Sequence, residues 1–408
     1  MIQVEAETAR ALNAPFVDVQ PRLRWALQGG VLDLSDRLIA GALPRIRHDI
    51  GAYLAGERYP DVYFELINDD GLLTPADVTG SVLANKKPGD YLLDTITYDV
   101  GVKRADGTYE YIPAYTGLVT DVLLEPGKVT VTASAPFTYA MQTELPWEFV
   151  FRRGNLGFLD AATYLMGANT TISYPTDYDA SYINHLELLK SHDWNLYGTI
   201  KSGTTIGSAM LLIAKSCLGT IWTTETGTLA FASEFPGVCG DLGYFPSYVP
   251  DPLLEADGSD WRMSRPIDLA ASQVIVAYQG VSCSWRSTAD EGNIGRLPRT
   301  VVAPYMATLR QAATSARILY EAYGNYPTIL AFTMGPRGML VQVNDRIPIV
   351  DPFTNTLGTY RVTSKDFAGP AMTRLEVVAE GHESTVISSS AFAKWGTTTW
   401  DTAGAIFL

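Results

Sequence analysis

Residues 327–380 read PTILAFTMGPRGMLVQVNDRIPIVDPFTNTLGTYRVTSKDFAGPAMTRLEVVAE. Apolar and polar residues alternate in short runs, and turn residues separate the runs, which is the mark of antiparallel strands. An earlier stretch, residues 90–133, carries a similar pattern: DYLLDTITYDVGVKRADGTYEYIPAYTGLVTDVLLEPGKVTVTA. Asp94-Thr-Ile-Thr-Tyr-Asp99 resembles Asp345-Arg-Ile-Pro-Ile-Val-Asp351. Tyr115-Thr-Gly-Leu-Val-Thr120 resembles Thr359-Tyr-Arg-Val-Thr363, and residues 129–133 (VTVTA) resemble 375–379 (LEVVA). Two like stretches predict one barrel-like unit used twice, a divergent internal repeat. The plain alternative is that all antiparallel strands alternate and so look alike.

Outside these stretches the chain reads in the same way. Val17, Val19, Leu23, Trp25 and Leu27 alternate with polar residues, predicting a half-buried strand over 16–28, with Pro21 marking an edge or bulge. Residues 31–41 and 42–53 read as two short extended segments, and 61–68 (DVYFELIN) as a strand. From about Ala140 the pattern becomes mixed. Short helices are expected over 154–167 and 183–194, and a third over Ile206–Cys217 with Thr204 or Thr205 as its cap. A hairpin turning at Glu225-Thr-Gly227 follows. Residues 272–286 are strand-like, and Arg286–Arg299 is expected to be a mobile loop. Leu309, Ala312, Ala316, Leu319 and Tyr323 recur at helical spacing, predicting a helix over 305–323 with Pro304 at its first turn.

The expected architecture is therefore mainly β with an α/β insert: two tube-type β-barrel domains in one chain and a mixed middle domain. The boundaries fall at 1–140 for the first barrel, 141–260 for the middle domain and 261–382 for the second barrel. Residues 383–408 form a tail.

Composition narrows the function. The 408 residues are enough for two or three domains with a substantial core. The formal net charge of −14 argues against tight non-specific nucleic-acid binding, which needs Lys and Arg to neutralise phosphates. Twenty-two Tyr and eight Trp favour strands and interfaces. Cys217, Cys239 and Cys283 are scattered and odd in number, so they make no disulfide framework and suit reduced, cytoplasmic production. The opening MIQVEAETARAL has no signal-peptide pattern, and no apolar run is long enough to span a membrane.

No catalytic motif stands out. GxSxG, HExxH and a P-loop are missing, and Ser208 falls inside a predicted helix. Cys283 has the alternation of a strand residue. His48, His185, His192 and His382 follow no zinc spacing, although His185 and His192 lie near Glu187 and Asp193. Asp177-Tyr-Asp179 with Asn184 offers oxygens for calcium, with a polar turn as the plain reading. No cofactor and no enzymatic activity are expected. Lys86-Lys87 and Arg152-Arg153 read as solvated loops. Phe392, Trp395, Trp400 and Phe407 either pack on the chain's own barrel or dock a neighbouring protein, since exposed Trp is unfavourable unless a partner covers it.

The order of elements resembles the baseplate hub proteins of long-tailed bacteriophages, which are similar to the hub part of type VI secretion spikes. It runs from a turn-rich β unit through a helix and hairpin over 205–231 and a strand Ser272-Gln-Val-Ile-Val-Ala-Tyr278. A helix follows, then a closing unit of the form Asp-x-Ile-x-Ile … Tyr-x-Val-x-Ser. The resemblance spans roughly residues 15–382 and rests on patterns rather than fixed residues. It implies a virion structural protein made in the host cytoplasm: a homotrimeric hub at the tail tip that matches a sixfold tail tube to a threefold fibre or spike. Implied partners are the distal tail ring or tail tube protein, the fibre or spike, and the tape-measure protein. DNA would pass through during ejection without specific binding, with roles in host attachment and no stable membrane insertion. The first strand block also resembles distal tail ring proteins, which would be hexameric. A carbohydrate-binding or hydrolytic tail-tip module is the reading from another class, and it would need two carboxylates roughly 5–10 Å apart in an aromatic groove.

Overall fold

The computed structural model describes residues 2, 4–12, 17–27, 30–39, 43–50, 61–74, 80–84, 91–151, 177–179, 189, 194–233, 258–287, 291–292, 295–323, 327–369, 372–386, 392–393 and 406–407. A short helix, α1 (Ala6–Leu12), precedes strands β1 (Val19–Leu27), β2 (Gly30–Asp33), β3 (Ile46–Asp49), β4 (Asp61–Ile67), β5 (Thr95–Lys103), β6 (Tyr109–Glu125) and β7 (Lys128–Ser134). All but β3 form one antiparallel sheet in the order β2-β1-β5-β6-β7-β4. Period-two alternation decides its faces: Val62, Phe64 and Leu66 of β4 are fully buried, and Asp61, Tyr63 and Ile67 are exposed. The sheet curls on itself. Leu38, in the segment after β2, bridges Leu66 of β4, and Leu23, Trp25, Phe64 and Tyr98 fill the interior. Pro21 lies on β1 beyond its last partner in β2, where one side of β1 is an edge.

The middle of the chain is mixed. Helix α2 (Pro136–Gln142), strands β8 (Phe149–Phe151) and β9 (Gly198–Ile200), and helix α3 (Ile206–Ser216) come first. Thr205 caps α3, its hydroxyl accepting from the Ser208 N–H at 3.3 Å. Strands β10 (Gly219–Thr223) and β11 (Leu229–Ser233) make the expected hairpin. Strand β12 (Gly258–Ser264) leaves for a second sheet, and β13 (Gln273–Tyr278), β14 (Val281–Arg286) and β15 (Pro298–Val302) form a three-stranded sheet with β13 central. Helix α4 (Leu309–Tyr323) packs on it, and Phe151, Ile213, Phe231, Val276 and Leu319 share one core.

The helix expected over 305–323 starts later, at Leu309. A capping box sets the start: the Gln311 side chain accepts from the Thr308 N–H at 2.9 Å, and the Gln311 N–H donates to the Thr308 hydroxyl at 3.2 Å. Pro304 stands in the turn before it. Thr308→Ala is expected to lower the unfolding free energy by about 1 kcal/mol, read from the urea midpoint. No effect there would remove the box as the element that sets the start. The helices expected over 154–167 and 183–194 lie outside the described residues, apart from Leu189 and Trp194.

The second sheet holds β16 (Ile329–Met334), β17 (Arg346–Asp351), β18 (Thr356–Phe367) and β19 (Thr373–Val386), in the order β12-β16-β19-β18-β17. A sixth strand comes from the N-terminal part of the chain: β3 pairs with the far end of β18, past the last residue that β17 covers. Beyond it, the backbones of β20 (Phe392–Ala393) and β21 (Ile406–Phe407) run parallel to each other. No helix among the described residues is long and apolar enough to cross a membrane.

Four strands repeat. β4-β7-β6-β5 and β16-β19-β18-β17 have the same order, the same antiparallel pairing and the same order along the chain. The match extends to single bonds. The Leu93 N–H donates to the Val119 carbonyl at 2.7 Å and the Val119 N–H to the Asp94 carbonyl at 2.9 Å. Asn344, Val362 and Asp345 repeat this pair at 2.7 and 2.9 Å. Leu93 and Asn344 share a φ of 68°, an uncommon left-handed backbone for either residue. One residue after Val119 and Val362, both middle strands bulge, at Thr120 and Thr363. Each bulged threonine donates its hydroxyl across the ladder, to the Thr132 carbonyl at 3.3 Å and the Glu376 carbonyl at 3.1 Å. Phe64 and Phe332 take the same place in β4 and β16. The last strand pair aligns 129–133 with 373–377, two residues earlier than the sequence comparison had it. A shift of two keeps every side chain on its face, so alternation alone cannot detect it.

Candidate assembly surface and its buried junction

The hairpin β10–β11 turns through Thr224-Glu-Thr-Gly227. Its tip reaches both repeated sheets. Gly227 has a φ of 81°, and a Cβ there would stand 3.0 Å from the Thr116 methyl of β6, so the close approach needs glycine. On the other side Glu225 enters the second sheet. Its carboxylate accepts from the Lys365 ammonium at 2.8 Å and from the Gln342 amide at 2.6 Å, and Lys365 donates a further bond to the Met339 carbonyl at 3.1 Å. Both charged side chains are only 4% exposed. His48 of β3 stands opposite Lys365 in the ladder, and Ile50, Trp222, Ala230, Ala232 and Val343 make a small apolar cluster nearby. Burial pushes the Glu225 carboxyl up, but the Lys365 and His48 charges and the hydrogen bonds outweigh it and hold the group at about 2.

This junction joins three parts of the chain: β3, the middle hairpin and β18. Its groups are buried and paired with one another. Such an arrangement fixes geometry; it offers no exposed nucleophile or proton carrier to a substrate.

The candidate site residues fall as follows. Trp395 and Trp400, and the side chains of Phe392 and Phe407, lie outside the described residues, as do His185, His192, Glu187, Asp193, Asn184, Cys239, Lys86, Lys87, Arg152, Arg153 and the His382 side chain. Asp177 and Asp179 flank a backbone bridge between Tyr178 and Leu229, so this stretch lies against β11. No group of three His, Cys, Asp or Glu among the described residues is placed to hold a metal ion. Cys217 is fully buried, which pushes its thiol up, and Cys283 is half-buried on β14. The Glu225–Lys365 pair was missed in the sequence, because an acid in a Thr-Glu-Thr-Gly turn looks like a solvated turn residue.

The surface carries apolar residues on open strands. Val281 and Trp285 are exposed on β14, Met263 on β12, and Leu123 and Leu124 near the β6–β7 turn. Exposed edges of this kind are templates for pairing with another chain.

No protein-family model matches the chain, and no curated protein matches it. Solved structures do. The chain is similar to a tail protein from Neisseria meningitidis (TM-score 0.53, 14% identity, covering 88% of this chain and 97% of that one). It is also similar to a 43 kDa tail protein of the prophage MuSo2 from Shewanella oneidensis (TM-score 0.51, 13% identity, covering 88% and 98%). The fold is one found in phage tail proteins. The tail-protein fold takes in nearly all of both relatives, so the mixed middle and the two repeated sheets belong to one shared architecture. At this identity the backbone is shared while most side chains are not, which is why similarity of sequence failed to report it.

Proposed function

We propose that the chain is a structural protein of a phage tail tip: a homotrimeric baseplate hub. Three chains with two like units each present six similar surfaces, which meet a sixfold tail tube or distal tail ring on one side. The same trimer offers threefold symmetry to a fibre or spike on the other. The observation that carries this reading is the repeat, matched down to the bulged threonines Thr120 and Thr363. The buried junction supports it, since a ring needs the two units of each chain held at one angle. The charge of −14 suits a conduit through which DNA passes without being retained.

In this reading the chain performs no catalysis and works by assembly at the tail tip of the virion, in DNA ejection and host attachment. Its units are residues 1–140, 141–260 and 261–382. The tail 383–408 docks through Phe392, Trp395, Trp400 and Phe407, and the tape-measure protein is a further partner. Class averages of the purified protein by electron microscopy test the reading. Threefold rings with six similar lobes are expected; particles of a single chain at high concentration would overturn it.

A further inference from the structure

The repeat allows an edge in one sheet to be compared with the same edge in the other. In the second sheet β17 covers β18 only as far as Arg361, and the far end of β18, Ser364–Phe367, is covered by β3. Carrying the bulge equivalence of Thr363 and Thr120 forward, these residues correspond to Asp121–Leu124 of β6. There β5 covers β6 only as far as Leu118, and among the described residues no strand pairs with the far end of β6 on that side. Ser364, Lys365 and Phe367 are buried; Asp121, Leu123 and Leu124 are exposed, Leu123 by 55%.

The backbone shows the same contrast. The Pro126-Gly127 turn closes on the pair Glu125 and Lys128, so the N–H groups of Val122 and Leu124 face away from β7. Val122 donates its N–H to the carboxylate of its own neighbour Asp121 at 2.9 Å. At the equivalent place Lys365 is paired with a strand.

We infer that Asp121–Leu124 receives an edge strand from a second copy of this chain, and that the strand is β14. This rests on the ring-forming reading above and names the surface that closes the ring. β14 has β13 on one side only and exposes Val281, Ser282, Ser284, Trp285 and Arg286. Paired antiparallel, as β3 is on β18, its apolar Val281 and Trp285 fall on the face of Leu123. The Gln279-Gly280 turn closes on Tyr278 and Val281, so the N–H groups of Ser282 and Ser284 point outward, free to form a ladder. An acceptor edge and a donor edge at different places on one chain make a head-to-tail contact, which builds a ring where the rotation between copies closes. Added strands of this kind bind through main-chain bonds.

Sedimentation mass of the full chain tests the inference. Leu124→Pro and Ser284→Pro each remove an outward N–H and spare the internal ladders. Both are expected to reduce a multimeric wild type to the mass of one chain, with unchanged circular dichroism. Leu123→Glu, which places a third acid beside Asp121 and Glu125 and leaves the backbone intact, is expected to do the same and serves if a proline variant fails to fold. A folded, multimeric Leu124→Pro or Leu123→Glu would overturn the acceptor edge and leave the trimeric hub standing. A multimeric Ser284→Pro would overturn β14 as donor. A wild type that stays a single chain would overturn both this inference and the self-assembling hub.

Discussion

Lys365→Met is expected to lower the unfolding free energy by about 3–5 kcal/mol, because it leaves the Glu225 carboxylate buried with its cation gone. Glu225 keeps only the Gln342 bond among its short side-chain partners, and the hairpin tip loses its hold on β18. The double variant Glu225→Gln, Lys365→Met is expected to recover most of the loss, since a neutral amide and an apolar chain need no counter-charge. Urea unfolding of the four proteins in the cycle gives the coupling. The acid side provides a second readout. Glu225 has its carboxyl held at about 2, below its ordinary 4.5, so its contribution is complete above about 4.5 and declines as pH falls towards 2. Without Lys365 the first of the charges opposing burial is gone, so the carboxyl moves up and more of its contribution is lost at neutral pH than in acid. The gap between wild type and Lys365→Met should therefore narrow as pH falls from 7 to 3. A gap under 1 kcal/mol at pH 7, or one that widens in acid, would show that the pair does not hold the junction.

Phe64→Ala and Phe332→Ala are each expected to lower stability by about 3–5 kcal/mol. The two rings take equivalent places in the repeated sheets and are fully buried. Their surroundings differ. Phe64 sits 6.0 Å from Tyr98 and 6.2 Å from Tyr115, tilted to both, while Phe332 stacks on Trp261 at 4.1 Å. Losses in the same range would mean that each sheet has its own core built around the same strand. A loss under 1 kcal/mol at either site would deny that equivalence.

The strands were legible because alternation is local. Val62, Phe64 and Leu66, or Leu23 and Trp25, declare a buried face within a few residues. The repeat was legible where its signals are chemical, as at Asp94 and Asp345 or Thr120 and Thr363. It slipped by two residues in the last strand, where only period two was available. The start of α4 carried a usable signal in Thr308-Leu-Arg-Gln311, the T-x-x-Q of a capping box, but the expected start was taken from Pro304. The pairing of β3 with β18 was not legible. Ile46-Arg-His-Asp49 is four residues with mixed charge, and its partner lies far along the chain. The burial of Glu225 was hidden for the same reason, since nothing within the hairpin tells of Lys365.

The crossing strand has a consequence for biosynthesis. Arg45, at the start of β3, contacts Asp366, which is 321 residues later and on the order of 15–60 s away at typical ribosomal speeds. Throughout that interval the nascent polypeptide holds a segment whose hydrogen-bonding mate has yet to be translated. Expressing the leading half by itself would therefore leave Ile46–Asp49 without its native ladder, and the trailing half would be short of one rib.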